Sequence, residues 1–152
     1  MLKKLIASSL LASSLIMTGC QTTPPPSDTI EMANIQQLQQ RTWILTQIGN
    51  TEIKTAPNER NIPSLQFSAD NRISGADGCN RIMGSYTVGR DTLNLSQLAT
   101  TRMACINNSA VPQQFQEALA KVTHYQVFGK TLKLLDRHGN LLLQFGSAIQ
   151  PR

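Results

Sequence analysis

Tyr125-Gln126-Val127-Phe128-Gly129-Lys130-Thr131-Leu132-Lys133-Leu134-Leu135-Asp136-Arg137-His138-Gly139-Asn140-Leu141-Leu142-Leu143-Gln144-Phe145 is the stretch from which the fold is read. Apolar side chains recur at every second position: Tyr125 and Val127, then Leu132 and Leu134, then Leu141, Leu143 and Phe145. A period of two turns one face of a strand toward a core. Gly129 breaks the first pair of runs and Asp136 to Asn140 the second, so the stretch predicts a plain antiparallel series.

The same pattern extends upstream. Trp43 to Ile48 reads as a strand stopped by Gly49-Asn50, and Leu65 and Phe67 form another. Asp70-Asn71 supplies a turn, and Ile73 to Ala76 returns as the hairpin partner. Ile82 to Val88 is a further strand, broken by Gly89-Arg90-Asp91, with Leu93 and Leu95 beyond. The polar piece from Thr51 to Pro63 is a surface excursion. Pro112 to Val122 predicts a helix, because Phe115, Leu119 and Val122 fall at i, i+4 and i+7. Pro112 suits its first turn, and Ser109 or Asn108 can cap it. Ile35 and Leu38 among glutamines predict a short amphipathic helix that enters the fold at Arg41. The fold class is mainly β (α+β): a small antiparallel sheet, strongly curved or closed into a barrel, with one helix across an end or a face.

The N-terminal part is organised differently. Lys3-Lys4 precede an apolar run from Leu5 to Met17, which is well short of the ~20 residues a bilayer-spanning helix needs. Charged start, short apolar run and small residues behind it make a secretory signal peptide over residues 1–19. Met17-Thr18-Gly19-Cys20 resembles a bacterial lipoprotein signal, with methionine where leucine is usual. A thiol is needed there because its sulfur can carry diacylglycerol, and after cleavage its amine can carry a third chain. One acyl chain binds a membrane only marginally, whereas two or three anchor stably. Gln21 follows, not the aspartate that favours inner-membrane retention, so the resemblance implies the outer membrane. Residues 20–34 read as the lipidated cysteine and a Pro-rich tether, since Pro24-Pro25-Pro26 favour extended geometry. A folded domain over 35–147 and a tail over 148–152 complete the chain.

Without its leader the 152-residue chain is enough for one domain. The formal charge of +5 falls by two when Lys3 and Lys4 depart. Arg60, Arg72, Arg81, Arg90 and Arg102 are scattered, which argues against a nucleic-acid partner. Cys79 and Cys105 are the only thiols left once Cys20 is lipidated. In an oxidising compartment they most simply pair with each other, closing a loop of roughly 27 residues worth roughly 3–4 kcal/mol. Their spacing is unlike the Cys-x-x-Cys of a redox pair.

Candidate chemistry is sparse. His124 and His138 have no Cys, His or carboxylate at metal-ligand spacing, so no metal is expected. Asp70, Asn71 and Asp77 lack the acidic density of a calcium loop. No nucleophile elbow and no phosphate-cradling loop occurs, and Cys79 as a nucleophile would need a free thiol and a nearby histidine. No cofactor and no catalytic residue is assigned. A Cys79–Cys105 bond would bring Arg81 and Arg102 together, where two surface arginines outweigh an anion site as the reading.

Gly75-Ala76-Asp77-Gly78-Cys79-Asn80-Arg81-Ile82-Met83-Gly84-Ser85-Tyr86, followed by Thr101-Arg102-Met103-Ala104-Cys105, resembles the META domain family of HslJ-like bacterial lipoproteins. The likeness runs from about Leu38 to Phe145 and takes in Trp43, Phe67 and Leu132-Lys133-Leu134. Gly78, Cys79, Asn80, Gly84 and Tyr86 carry it in the first segment, and Thr101, Arg102, Met103, Ala104 and Cys105 in the second. Where members often carry an acidic residue just before the helix phenylalanine, this chain has Gln113-Gln114. The resemblance implies a lipocalin-like barrel with a helix, an envelope setting linked to stress, and no established enzymatic activity. Residue by residue, structural roles are expected: Gly75, Gly78 and Gly84 for turns, bulges or close backbone approach, and Tyr86 as a ring with a polar tip.

The expectation is therefore a non-enzymatic outer-membrane lipoprotein, facing the periplasm and held through Cys20, with a binding or envelope-maintenance role. Its protein or small-molecule partner is not specified by the sequence. The alternative is a carrier that holds a small apolar ligand in the barrel interior.

Overall fold

The structure, a computed structural model, describes residues 19–20, 23–24, 26–55, 60–106 and 109–147. The signal peptide read over 1–19 lies outside these residues apart from Gly19, and so does the tail 148–152. Among the described residues two helices and nine strands follow one another as α1 (Ser27–Gln39), β1 (Thr42–Ile48), β2 (Thr51–Glu52), β3 (Ser64–Phe67), β4 (Arg72–Ala76), β5 (Arg81–Val88), β6 (Leu93–Thr100), α2 (Val111–Leu119), β7 (His124–Phe128), β8 (Thr131–Leu135) and β9 (Leu141–Ser147). No helix among the described residues is long and apolar enough to cross a membrane.

All strands join one antiparallel sheet in the order β6-β5-β4-β3-β1-β9-β8-β7, with β2 paired to β1. The period of two is visible in the burial: Trp43 and Leu45, Leu65 and Phe67, Leu132 and Leu134, Leu143 and Phe145 point inward. Register shifts between Leu45 and Gln47, Met83 and Ser85, and Leu134 and Leu135 bend the sheet. It curls until β7 approaches β6. There Leu93 donates its N–H to the Thr123 carbonyl at 3.0 Å, and Tyr125 donates to that of Asp91 at 2.9 Å. A single bridge pairs Thr92 with His124. The result is a strongly curled half-barrel, joined along a short part of its seam.

The helices cover what the sheet leaves open. α1 packs on β3 and β7, and α2 packs on β9 and β1. Inside, Trp43, Phe67, Tyr86, Phe115 and Phe145 are buried among aliphatic side chains such as Leu38, Leu93 and Leu119. Phe67 meets Tyr86 edge-on at 5.1 Å between ring centres, and Phe115 meets Phe145 at 6.1 Å. Polar tips are satisfied too. The Trp43 indole N–H donates to the Leu38 carbonyl at 2.9 Å, and the Arg41 guanidinium stands 5.3 Å from the ring centre. The Tyr86 hydroxyl donates to the Ser68 carbonyl at 2.7 Å and accepts from Gln39 at 2.8 Å.

Several details differ from the sequence reading. α1 starts at Ser27, inside the segment 20–34 read as tether. Pro26 stands directly ahead of α1, and its carbonyl accepts the Thr29 N–H at 3.0 Å. Only Leu38 of α1 is fully buried, so its apolar stripe is narrower than an amphipathic helix implies. α2 ends at Leu119, yet Val122 beyond it is still buried. Ala110 occupies its cap position, while the Ser109 hydroxyl accepts from the Val111 N–H at 3.2 Å. Asn108, the other cap candidate, lies outside the described residues. The expected surface excursion carries a short strand, β2.

Burial holds both tyrosines of the chain in the neutral form. It raises the Tyr86 hydroxyl above its ordinary value of 10.0, opposed by the hydrogen bond from Gln39 and helped by the Asp70 charge. It pushes Tyr125 up to about 12, with Glu31 and Asp91 adding to the shift. Both groups keep their protons in the folded state after the unfolded chain has lost them. Their contribution to stability is therefore full below about pH 10 and is lost as pH rises toward 12. Phenolate absorbance of the native protein should lag behind that of the urea-unfolded protein. Half-ionisation of the native chain at the unfolded midpoint would contradict this packing.

Candidate functional site

Between β4 and β5 the chain turns through Asp77-Gly78-Cys79-Asn80. Asp77 is fully buried, which is costly for a carboxylate unless its oxygens are hydrogen-bonded. Its Oδ1 accepts the N–H of Cys79 at 2.9 Å and that of Asn80 at 2.7 Å, which makes an Asx turn. Its Oδ2 accepts from the Gln116 amide of α2. Gly78 takes a φ of +104°, where a side chain is strained and a Cβ would stand 3.3 Å from the Pro63 ring.

This corner is clasped to the segment that follows β6. Cys79 and Cys105 form a disulfide with Cα atoms 5.7 Å apart. The Asn80 side-chain oxygen accepts the Met103 N–H at 2.8 Å. Arg81 donates its backbone N–H to the Thr101 hydroxyl at 2.9 Å, and Thr101 donates its own to the Arg81 carbonyl at 3.0 Å. From the other side, Asn61 donates to the Cys79 carbonyl at 3.0 Å. Six of the motif residues, Gly78, Cys79, Asn80, Thr101, Met103 and Cys105, thus meet in one knot of backbone and side-chain bonds. Arg102 and Ala104 ride on its exposed side.

Gly84 and Tyr86 stand apart from the knot, farther along β5. Gly84 sits at the β5–β6 irregularity, where a Cβ would come within 2.9 Å of both the Leu98 side chain and the Ser96 carbonyl. Tyr86 belongs to the core.

What the clasp offers outward is apolar and cationic. An open cleft of about 510 Å³ lies beside the disulfide, lined among others by Arg60, Met103 and Ile106. Met103 and Ile106 are exposed, as is Met83 on β5, which lines a neighbouring groove that shares Asn61. Arg81 and Arg102 are exposed, and the ion pair among the described residues is Arg72 with Asp70 elsewhere on the surface. Both sulfurs are in the disulfide, so this site presents no thiolate.

The remaining candidates are separated. Asp70 and Asn71 form the β3–β4 turn, with Asn71 at φ +63°, while Asp77 is buried beyond the far end of β4. Among the described residues no three His, Cys, Asp or Glu side chains are placed to hold a metal ion. His124 and His138 line one open cleft of about 330 Å³ with Asp91 and Arg137. Beside it, Asp136 accepts from the Asn140 amide, the Asn140 N–H and the His138 N–H at 2.8–2.9 Å. Those bonds, the Asn140 side chain foremost, hold its carboxyl below the usual carboxylate value. Asp77, Gln116 and Asn61 were not singled out from the sequence for the clasp. Asp77-Gly78 carried a local signal, since Asp before Gly favours an Asx turn; the partners on α2 and near β3 carried none.

The comparisons agree with this architecture. A family model described as the META domain matches residues 36–149. Among curated proteins none matches the chain. An NMR structure of a protein from Burkholderia xenovorans superposes with a TM-score of 0.58 at 23% identity, covering 98% of this chain and 100% of that one. A second NMR structure gives 0.59 at 22% identity, covering 74% of this chain and 92% of its own. The crystal structure of a DUF4847-family protein from Bacteroides vulgatus gives 0.56 at 21% identity, over 77% and 99%. At such identities the likeness is one of fold.

Two variants test the clasp. Asp77→Ala strands three donors and should cost about 3 kcal/mol in urea unfolding, with Asp77→Asn milder because one carbonyl oxygen remains. Paired Cys79→Ser and Cys105→Ser should cost roughly 3–4 kcal/mol. The combined loss should be smaller than the sum, since both changes dismantle the same knot. A wild-type melt for Asp77→Ala would refute the role given to this carboxylate.

Proposed function

The chain belongs to the META domain family, and on that premise we propose that it is a lipid-anchored binding module of the cell envelope, not an enzyme. One observation carries this reading. The polar groups of the motif bond to one another inside the clasp, while Met83, Met103 and Ile106 are left exposed among arginines. Groups already bonded within the fold serve structure; exposed apolar and cationic side chains serve contact with a partner.

The anchor reading is supported by Cys20, which is exposed and stands seven positions ahead of α1. Its setting after a charged and apolar leader suits diacylglycerol attachment and export, and Gln21 suits the outer membrane. A periplasmic position fits the disulfide, because such bonds persist where the surroundings oxidise. An envelope-maintenance role under stress is what the family resemblance implies.

The alternative, a carrier with an apolar ligand inside the barrel, is weakened by the interior itself. Trp43, Phe67, Tyr86, Phe115 and Phe145 occupy the space that such a cargo would need. The clefts at the clasp and at the histidines open on the surface.

Metabolic labelling with palmitate should mark the wild-type chain and fail to mark Cys20→Ala. Unreduced, denatured protein should resist thiol reagents at Cys79 and Cys105. Native mass spectrometry of protein extracted from its own envelope separates the two functions. A partner protein lost on Met103→Glu is expected, whereas a small molecule bound one per chain would favour the carrier.

A further inference from the structure

We propose that the barrel meets the bilayer with the end covered by α1, and that the β7–β8 hairpin tip, Phe128-Gly129-Lys130, enters the headgroup layer of an anionic lipid surface. This rests on the anchoring reading above and adds which face of the domain the anchor holds down. Phe128 is 88% exposed, a large ring standing in solvent at the end of β7 while Tyr125 on the same strand is buried. Phenylalanine on a glycine turn makes no core contact to explain it. Phenylalanine on an interfacial face beds into the boundary between headgroups and acyl chains, flanked by basic side chains.

The cations around the ring suit the same surface. Lys130 is in the turn and exposed, and Lys133 is exposed on β8. Arg41 is held at the tip, because its guanidinium donates to the Gly129 carbonyl at 2.8 Å. Carboxylates stand at this end too, since Asp91 lines a groove with Val127 and Glu31 of α1 lies near Tyr125. Basic side chains beside an aromatic tip are attracted to anionic lipid, while the acyl chains supply most of the affinity.

Chain length selects this end. Ile30 of α1 lines one groove with Val127, the residue before Phe128, so α1 begins close to β7. Cys20 lies seven positions before Ser27, and seven extended residues reach at most about 25 Å. The disulfide clasp sits at the opposite end: β5, about 25 Å long, runs from Arg81 beside the clasp to Val88 near the α1 end, where α1 donates from Gln39 to the Tyr86 hydroxyl and from Asn34 to the Arg90 carbonyl. Acyl chains at Cys20 would thus draw the hairpin tip to the lipid and leave Met103 and Ile106 facing away from it, open to a partner.

The test uses the lipidated chain reconstituted into vesicles of phosphatidylethanolamine with a minority of phosphatidylglycerol. Trp43 is the chain's one tryptophan and is buried, so Phe128→Trp and Met103→Trp each add a single exposed reporter. With brominated acyl chains, emission from position 128 should fall about twofold, as expected of a ring at headgroup depth, and that from position 103 should stay unchanged. In vesicles of phosphatidylcholine alone the quenching at 128 should weaken. Flotation of the protein with vesicles reports the anchor separately. Flotation with no quenching at 128, or with equal quenching at both positions, overturns the orientation and leaves the anchor intact. Failure to float removes both. A concentration-dependent blue shift at 128 without lipid would mean that a second copy covers the tip, and would also overturn the proposal. Unchanged thermal melting of both variants checks that the fold is kept.

Discussion

Two backbone hydrogen bonds, Leu93 to Thr123 and Tyr125 to Asp91, join the first and last strands of the sheet order, and the rest of the molecule is arranged around that narrow join. An antiparallel sheet with one apolar face must bury it, and a sheet of this width does so by curling. Irregularities at Leu45/Gln47, Met83/Ser85 and Leu134/Leu135 supply the bend. The curl stops short of a full barrel, so the helices finish the enclosure. Leu38 from α1 and Phe115, Ala118 and Leu119 from α2 complete a core that the strands alone would leave wet.

That enclosure explains why the motif is where it is. α2 is the link between β6 and β7, so its position depends on the segment that leaves β6. The disulfide and the Arg81–Thr101 pair fix that segment, and the Asp77 carboxylate reaches Gln116 on α2 itself. A buried carboxylate with three donors is a demanding arrangement, since loss of any partner leaves charge or donor unsatisfied in a dry site. Its value here is positional: it ties the β4–β5 corner to a helix from a distant part of the chain. Cleft and apolar surface then follow as the outer side of a rigid structural joint.

Exposed large apolar side chains stand at both ends of the barrel. One end carries the clasp with Met103 and Ile106; the other carries α1 and the Phe128 tip. The filled interior separates them and gives the domain little room to act as a container.

Alternation in Tyr125 to Phe145, the turn at Asp70-Asn71 and the i, i+4, i+7 spacing of Phe115, Leu119 and Val122 made strands, hairpins and α2 legible in the sequence, because periodicity is local and burial enforces it. The Cys79–Cys105 pair was legible as well, by elimination among three thiols. Helix α1 from Ser27 was less so, since a stripe with one fully buried residue gives a weak period. Undecided until the chain folded were the sheet order, the meeting of His124 with His138 in one cleft, and the bond from Gln116 to Asp77, which spans 39 positions. Contacts of that range depend on strand order and curl, which leave no period or spacing along the chain. Local pattern decided which residues face inward; only the closed sheet decided which distant residues become neighbours.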